Sequence, residues 1–401
     1  MRCPCRLFVP GRLEVFGKHT DYAGGRSLVA AVPRGLTVTA GPVTGGTVMV
    51  RDTVAQQEAG FAADGTGRSD GWLRYPQAVI RRLARNFPDN PLAARIEFSS
   101  DLPQAAGISS SSALVIALAE ALVACSAIDE TDAWRSAISS DEDRAAYFGC
   151  IENGASFRTL AGDAGVGTHG GSEDHAAILM SRAGHLHQFS FSPLRLDRAV
   201  RMPEGWTFAV ASTGIAARKA GEARRDYNLA AAAAREIVKI AVAAGFSRPE
   251  PPPTGCQREP ALADLAIDPA AMRRIALPPD LRARLDHFVA EDGRVPEAAA
   301  AFERSEIERI EALADASHRD AERLLGNQIP ETTDLVKLAR QLGAAAASSF
   351  GAGWGGSVWA LVRSPDAGAF LSGWTEAYRA RHPGLRPAGF VSPPSAGVRR
   401  M

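Results

Sequence analysis

The 401-residue chain is short of several things, and each shortage excludes something. It has no net charge to spare: 45 Lys and Arg balance 45 Asp and Glu, so no global field exists to hold nucleic acid or an acidic membrane surface. Any phosphate binding must therefore be local. It has only five cysteines, Cys3, Cys5, Cys125, Cys150 and Cys256, an odd number whose spacing fits neither a zinc site nor a disulfide framework. These read as free thiols of a reducing cytoplasm, the Cys3/Cys5 pair included. No apolar run reaches the roughly 20 residues of a membrane span, and the N-terminus lacks the apolar core of a signal peptide. The expectation is a soluble, cytoplasmic protein with neither nucleic acid nor membrane as partner.

What is present is ordinary globular composition, 46% hydrophobic and 22% charged, with length enough for two cores. β-Branched stretches after Gly25, "LVAAV", "GLTVTAGPV" and "GTVMVRD", predict antiparallel strands. Residues 72–87 carry apolar positions at helical spacing, "AARIEFSSDLP" predicts a strand, and "SSSALVIALAEALVACSAI" a buried helix. A further helical pattern runs from Asp132 to Cys150. Strands are expected around "AILMSR", "HLHQFSF" and "TFAVAST", and the second half is mostly helical before ending in "GWGGSVWALV". Pro-rich residues 247–260 predict an extended surface loop. The shift in character places a boundary near residue 200, giving domains at 1–200 and 201–401.

Three stretches concentrate polarity or glycine. In "GRLEVFGKHTDYAGG", residues 11–25, Arg12, Lys18, His19, Asp21 and Tyr22 crowd between glycines, more hydrogen-bonding capacity than a turn needs. A small polar ligand would use it. In "PQAAGISSSSAL", Gly107 and the serines Ser109, Ser110 and Ser111 open a helix, where free amides attract phosphate and a hydroxyl can ligate magnesium. No Walker A Lys is present, and the same serines also read as a plain N-cap. "FGAGWGGSVWALV" packs four glycines into six positions, marking either a close approach to ligand or a hairpin turn.

In order and spacing these stretches resemble the three motifs of the GHMP kinases, and the first resembles the galactokinase signature. The resemblance implies an α+β, two-domain fold: a ribosomal protein S5 domain 2-like N-terminal domain and a ferredoxin-like C-terminal one. It also implies ATP-dependent phosphorylation of a sugar at its C1 hydroxyl, with Mg2+, in a monomer whose partners are the sugar and ATP. Carried over by position, Asp174 in "GSEDH" matches the catalytic aspartate and Arg12 its charge-stabilising partner. Ser111 and Glu152 match the magnesium-holding positions, and Trp72, with Tyr75, the adenine neighbourhood. His19, Asp21, Gly171 and Tyr227 match sugar contacts, although Tyr227 also reads as a helix-surface tyrosine.

The departures matter as much. Glu14 stands for a usual Asn, Ala105 for a usual glycine, and Ala230 where arginines usually follow. Residues 153–170 are longer than the family's run. Lys18 replaces a Glu that meets the sugar's C6 hydroxyl, and a Lys has only donors. If Lys18 faces that position, a uronic acid such as galacturonate becomes an alternative substrate, while pairing with Glu14 or Glu173 would leave a neutral sugar. A catalytically silent sugar- and ATP-binding regulator is the alternative from another class.

Overall fold

The computed structural model describes residues 5–67, 69–103, 107–215, 220–246, 260–265 and 268–401. Cys3, Ala105, Cys256 and all but the last residue of the Pro-rich 247–260 stretch lie outside the described residues. The fold combines two sheets with helices, as an α+β protein should.

The eight-stranded sheet starts with β1 (Cys5–Phe16), β2 (Arg26–Pro42), β3 (Thr47–Asp52), β4 (Gln57–Ala62) and β5 (Ala94–Ser100). It is completed by β6 (His185–Phe191), β7 (Leu194–Arg201) and the last strand of the chain, Arg399–Arg400. The last strand lies antiparallel beside β1, with Leu7 opposite Arg400, and the order continues through β2, β5, β3 and β4. Among the described residues only β3 and β5 run parallel. β8 (Trp206–Ser212), β9 (Ala346–Phe350), β10 (Ser357–Arg363) and β11 (Gly389–Ser392) form a second, antiparallel sheet in the order β11, β8, β10, β9.

Helix Ser110–Ser126 lies against β1 and β2 and is buried from Ser112 to Val123 except at Glu120, which is why its composition is apolar all round. Its N-terminus alone opens towards the site. Among the described residues no helix is long and apolar enough to cross a membrane, and Cys5, Cys125 and Cys150 form no disulfide.

Three sequence expectations need correction. "AILMSR" is not a strand: Ala177–Met180 end the helix Glu173–Met180, a short apolar run whose periodicity is ambiguous without its acidic first turn. The pattern from Asp132 to Cys150 is two helices, Asp132–Ala137 and Asp141–Asn153, because Thr131 and Ser140 each cap a new start. The stretch from Phe302 to Leu325 is likewise broken by Ser305, at φ 57°, before the helix Ile307–Asp320. The 153–170 segment is fastened to the helix Arg74–Asn86: Arg81 pairs with Asp163, and Arg82 and Asn86 donate to the carbonyls of Ala155 and Ala161.

Candidate functional site

Two residues of one strand face set the site up. Side chains alternate along β1, so Arg12 and Glu14 project to the same side, and both are almost wholly buried. The Arg12 guanidinium donates through Nη1 to the Gly107 carbonyl at 2.7 Å, anchoring the serine loop. Its Nε lies 2.7 Å from Asp174 Oδ1 and 3.3 Å from Glu173 Oε1. Burial alone would lower its pKa, yet Asp174, Glu173 and Glu14 raise it, so Arg12 is a permanent cation.

Asp174 sits in the first turn of helix Glu173–Met180. Burial would raise its carboxyl, but Arg12 foremost, helped by Ser109, His175 and Ser112, holds it below the ordinary carboxylate value. Ser112 Oγ lies 2.8 Å from Glu152 Oε2 and 3.1 Å from Asp174 Oδ2, tying the two acids together. Ser109 takes a left-handed conformation, φ 60°, just before the helix, and Ala113 N donates back to Ser109 O. The amides of Ser110, Ser111 and Ser112 therefore have no carbonyl one turn earlier to take them. They face the end of the site where Ser111 and Ser112 join the wall.

These groups surround a cavity of about 220 Å³ whose other walls come from distant parts of the chain. His19 occupies one side at φ 60°, with Nε2 2.9 Å from the Ala352 carbonyl and Nδ1 2.8 Å from Tyr22 Oη. A carbonyl only accepts, so Nε2 carries the proton and Nδ1 accepts from Tyr22. Burial first, then Arg284, pushes His19 down to about 3, and the ring stays neutral with both nitrogens engaged. It presents an imidazole surface to the cavity, tilted at 53° against the Tyr227 ring with centroids 5.2 Å apart.

Asp21 is pushed up to about 6 by burial and by Asp174. The space beside it is set by Gly171, where a Cβ would stand 2.5 Å from Asp21 Oδ2 and 2.8 Å from its carbonyl carbon. Gly170 does the same for Tyr227, whose hydroxyl would lie 3.1 Å from a Cβ there. Asn228 locks the arrangement by accepting from His169 N and donating to Gly167 O. The roof is the turn between β9 and β10, where Gly351 N donates to Glu14 Oε2 at 2.7 Å. Thus the glycine-rich third stretch closes the cavity over the first.

The structure brings together Arg12, His19, Asp21, Ser111, Glu152, Gly171, Asp174 and Tyr227, all named from the sequence, around one cavity. Gly107 and Ser109 act from behind it, through Arg12 and Asp174, and Ser110 is exposed at the helix start. Trp72 does not line this cavity; its ring packs 6.1 Å from Phe98.

Lys18 is the clear correction. Gly17, at φ 108°, ends the alternation of β1 and turns the Lys18 side chain away from the cavity into the interior. There Nζ donates to Ser317 Oγ at 2.7 Å and lies 4.0 Å from Glu291 Oε1, on helix Pro279–Glu303. Glu291 also accepts from the backbone amides of Gly17 and Lys18 and pairs with Arg294. The partner expected among Glu14 and Glu173 is Glu291 instead. Lys18 therefore offers no ammonium to a uronate's carboxylate, and the alternative built on it loses its basis.

The residues that sequence reasoning missed are Ser112, Glu173 and Arg224. Ser112 hides as the fourth of four serines, and Glu173 as the neighbour of a recognised aspartate. Arg224 comes from helix Ala220–Ala243, far along the chain.

Known proteins resemble the chain in sequence and in fold. Residues 3–42 match the family model described as the galactokinase galactose-binding signature, 74–147 the GHMP kinases N terminal domain, and 298–380 the GHMP kinases C terminal model. The chain is 29% identical to a galactokinase of a Roseiflexus species, spanning 92% of this chain and 86% of that one. It is 27% identical to the galactokinase of Chloroflexus aurantiacus, with 97% and 91% covered. Among solved structures, Lactococcus lactis galactokinase complexed with galactose superimposes with a TM-score of 0.79 at 21% identity, over 99% of this chain and 95% of that one. Methanococcus jannaschii mevalonate kinase does so at 0.60 and 14%, over 100% and 99%.

Proposed function

We propose that this chain, which belongs to the GHMP kinases and carries their galactokinase-type sugar signature, transfers the γ-phosphoryl group of ATP to the C1 hydroxyl of galactose or a close relative. The observation that carries the reading is the Arg12–Asp174 ion pair at a cavity next to the free N-terminal amides of helix Ser110–Ser126. One end suits an attacking hydroxyl, the other a triphosphate.

In this mechanism the sugar sits against His19, Asp21, Gly171 and Tyr227, with its C1 hydroxyl at Asp174. As the hydroxyl oxygen bonds to the γ-phosphorus, its proton passes to Asp174 and the bond from phosphorus to the departing ADP oxygen breaks. A carboxylate held low by Arg12 is a weak base, so it takes the proton only as the forming bond acidifies the hydroxyl. Arg12 steadies the charge that spreads over the phosphoryl oxygens, which is where most of the rate comes from. The amides of Ser110, Ser111 and Ser112 hold the phosphates with the helix dipole behind them.

The donor set fits Mg2+, a hard cation that takes one or two protein oxygens and completes its shell with phosphates and water. Ser111 or Ser112 and Glu152 would hold it, and it would neutralise phosphate charge. Among the described residues no group of three or more His, Cys, Asp or Glu side chains forms a self-sufficient metal cage, consistent with an ion that arrives with the nucleotide.

Balanced charge and the small enclosed site support a cytoplasmic, monomeric enzyme with small-molecule partners only, divided near residue 200, where the chain passes from the first sheet to the second between Arg201 and Trp206. A coupled assay of ADP release over a panel of monosaccharides, with and without Mg2+, tests the function. Galactose-type sugars should give Mg2+-dependent release. ATP binding without release on any sugar would instead identify a silent regulator, a reading that the intact Arg12–Asp174 pair argues against.

A further inference from the structure

The sugar end of the cavity carries more carboxyl groups than the proposed chemistry uses. Asp174 takes the proton, Glu152 belongs to the phosphate end, and Asp21 is packed against Gly171. Glu14 and Glu173 have no such task. Both line the cavity, and both are more than nine-tenths buried. Glu14 spends one oxygen on Gly351 N, while Oε1 has no hydrogen-bond partner. Among the described residues, the ion-pair partner of Glu173 is the Arg12 Nε, 3.3 Å away, and that nitrogen lies closer to Asp174.

One guanidinium therefore serves three acids. Lys18, the nearest other cation by sequence, is committed to Glu291 and Ser317, and Arg224 enters from the opposite wall on helix Ala220–Ala243. The protein answers the surplus by proton uptake: burial pushes Glu14 up to about 7, and burial together with Glu14 pushes Glu173 well above the ordinary range. Buried carboxyls without partners are costly to ionise, so these two hold protons until a cation is set against them and then release them to pair with it, which makes the wall complementary to positive charge.

Magnesium is already provided for at the phosphate end, by Glu152 with Ser111 or Ser112, so these two acids answer to another cation. It must be one that the substrate brings. Arg12 joins Glu173 to Asp174, so the acidic wall adjoins the reacting hydroxyl at C1, and because the ring oxygen on one side of C1 carries no substituent, the nearest group able to bear a cation is the one at C2.

We propose that the sugar favoured here is a 2-amino hexose, its ammonium received by Glu14 and Glu173. The proposal rests on the sugar 1-kinase reading and narrows its substrate class. Charge-assisted hydrogen bonds to two carboxylates exceed those that a neutral hydroxyl makes at the same position. A site whose buried acceptors go unpaired with the wrong ligand also discriminates more strongly than an apolar one.

The test is steady-state ADP release at saturating Mg·ATP with D-galactose, D-galactosamine, N-acetyl-D-galactosamine and D-galacturonate. A pH of about 7.3, above the Glu14 value of about 7 and below the roughly 7.7 of a typical α-amine, leaves that carboxyl and the amine both substantially charged. The expected kcat/KM for galactosamine exceeds that for galactose by about tenfold or more, and N-acetylation, which removes the charge, abolishes the advantage. Glu14→Gln and Glu173→Gln, each close in shape to the native residue, should cut the galactosamine-to-galactose ratio by about tenfold, mainly through KM.

Galactose used as well as or better than galactosamine, or a ratio unmoved in both variants while their melting temperatures match wild type, overturns the inference and leaves the kinase reading standing. Absence of release with every sugar overturns the kinase reading. Calorimetry with the same four sugars then decides the inference: tighter binding of galactosamine than galactose supports it, and equal or weaker binding overturns it.

Discussion

Lys18→Met separates a structural lysine from a substrate-recognising one. The change removes an ammonium buried to 1% exposure, 4.0 Å from Glu291 and donating to Ser317. Burial would raise the Glu291 carboxyl, yet Lys18 foremost, then His287 and Arg294, holds it at about 2 against an ordinary 4.5. At 1.4 kcal/mol per pH unit that difference corresponds to about 3 kcal/mol of stability at neutral pH. Truncating one partner of a buried pair typically costs about 3–5 kcal/mol, and Glu291 keeps Arg294 and two backbone amides, so the lower end applies.

At roughly 2–4 °C per kcal/mol for a domain of this size, the expected fall in melting temperature is about 6–12 °C. A carboxyl with a depressed folded pKa stabilises above its unfolded value. The gap between wild type and variant should therefore be full above pH 4.5 and shrink as pH falls towards 2. Because Lys18 does not line the cavity, kcat/KM for the sugar, measured well below the variant's melting point, should stay within about threefold of wild type. A variant that melts like wild type but loses or switches its sugar preference would refute this placement of Lys18.

Other perturbations test the walls of the site. Asp174→Asn should lower kcat by 10²- to 10⁴-fold, roughly what a general base contributes, while calorimetry shows ATP affinity nearly intact. Ser112→Ala should reduce turnover more than Ser110→Ala, because Ser112 ties Glu152 to Asp174 whereas Ser110 is exposed; equal effects in the same ADP-release assay would sink that distinction. Gly171→Ala puts a methyl 2.5 Å from Asp21 Oδ2, and should cost about 1–3 kcal/mol in denaturant melts and raise KM for the sugar. Glu14, raised to about 7 by burial, binds its proton more tightly folded than unfolded, so its contribution to stability falls as pH rises from 4.5 through 7. Glu14→Gln should accordingly melt above wild type at pH 8, with the gap closing towards pH 5.

The legible parts of this molecule were those whose chemistry is local. Arg12, Asp21 and Asp174 each stand in a short stretch that concentrates polar side chains or glycine, and helix Ser110–Ser126 announces itself by an apolar run behind four serines. Lys18 was misplaced because strand alternation stops at Gly17, and no local pattern tells that a positive φ will turn the next side chain inward. Its partner Glu291 lies 273 residues away on an unremarkable helix. The run from Ala177 to Met180 reads as a strand in the sequence because a short apolar run looks alike in strand and helix, and only the acidic turn before it, at the site, decides. Glu14 was noted as a departure, but its burial and its empty oxygen depend on the roof at Gly351, which comes from the other end of the chain.

The two ends of the cavity are mounted on material of different firmness. The phosphate end stands on helix Ser110–Ser126, whose amides from Val115 to Val123 lie in the main core, whereas the sugar end rests on the turn at His19–Asp21, residues 167–171 and one face of helix Ala220–Ala243. In hydrogen exchange the first set should open only with global unfolding, and the second through smaller, cheaper excursions. Nucleotide would then dock on a surface that is already set, while sugar would have to order the surface that receives it. The protection gained on binding should accordingly be slight at Val115–Val123 with either ligand, and large at residues 167–171 with sugar alone.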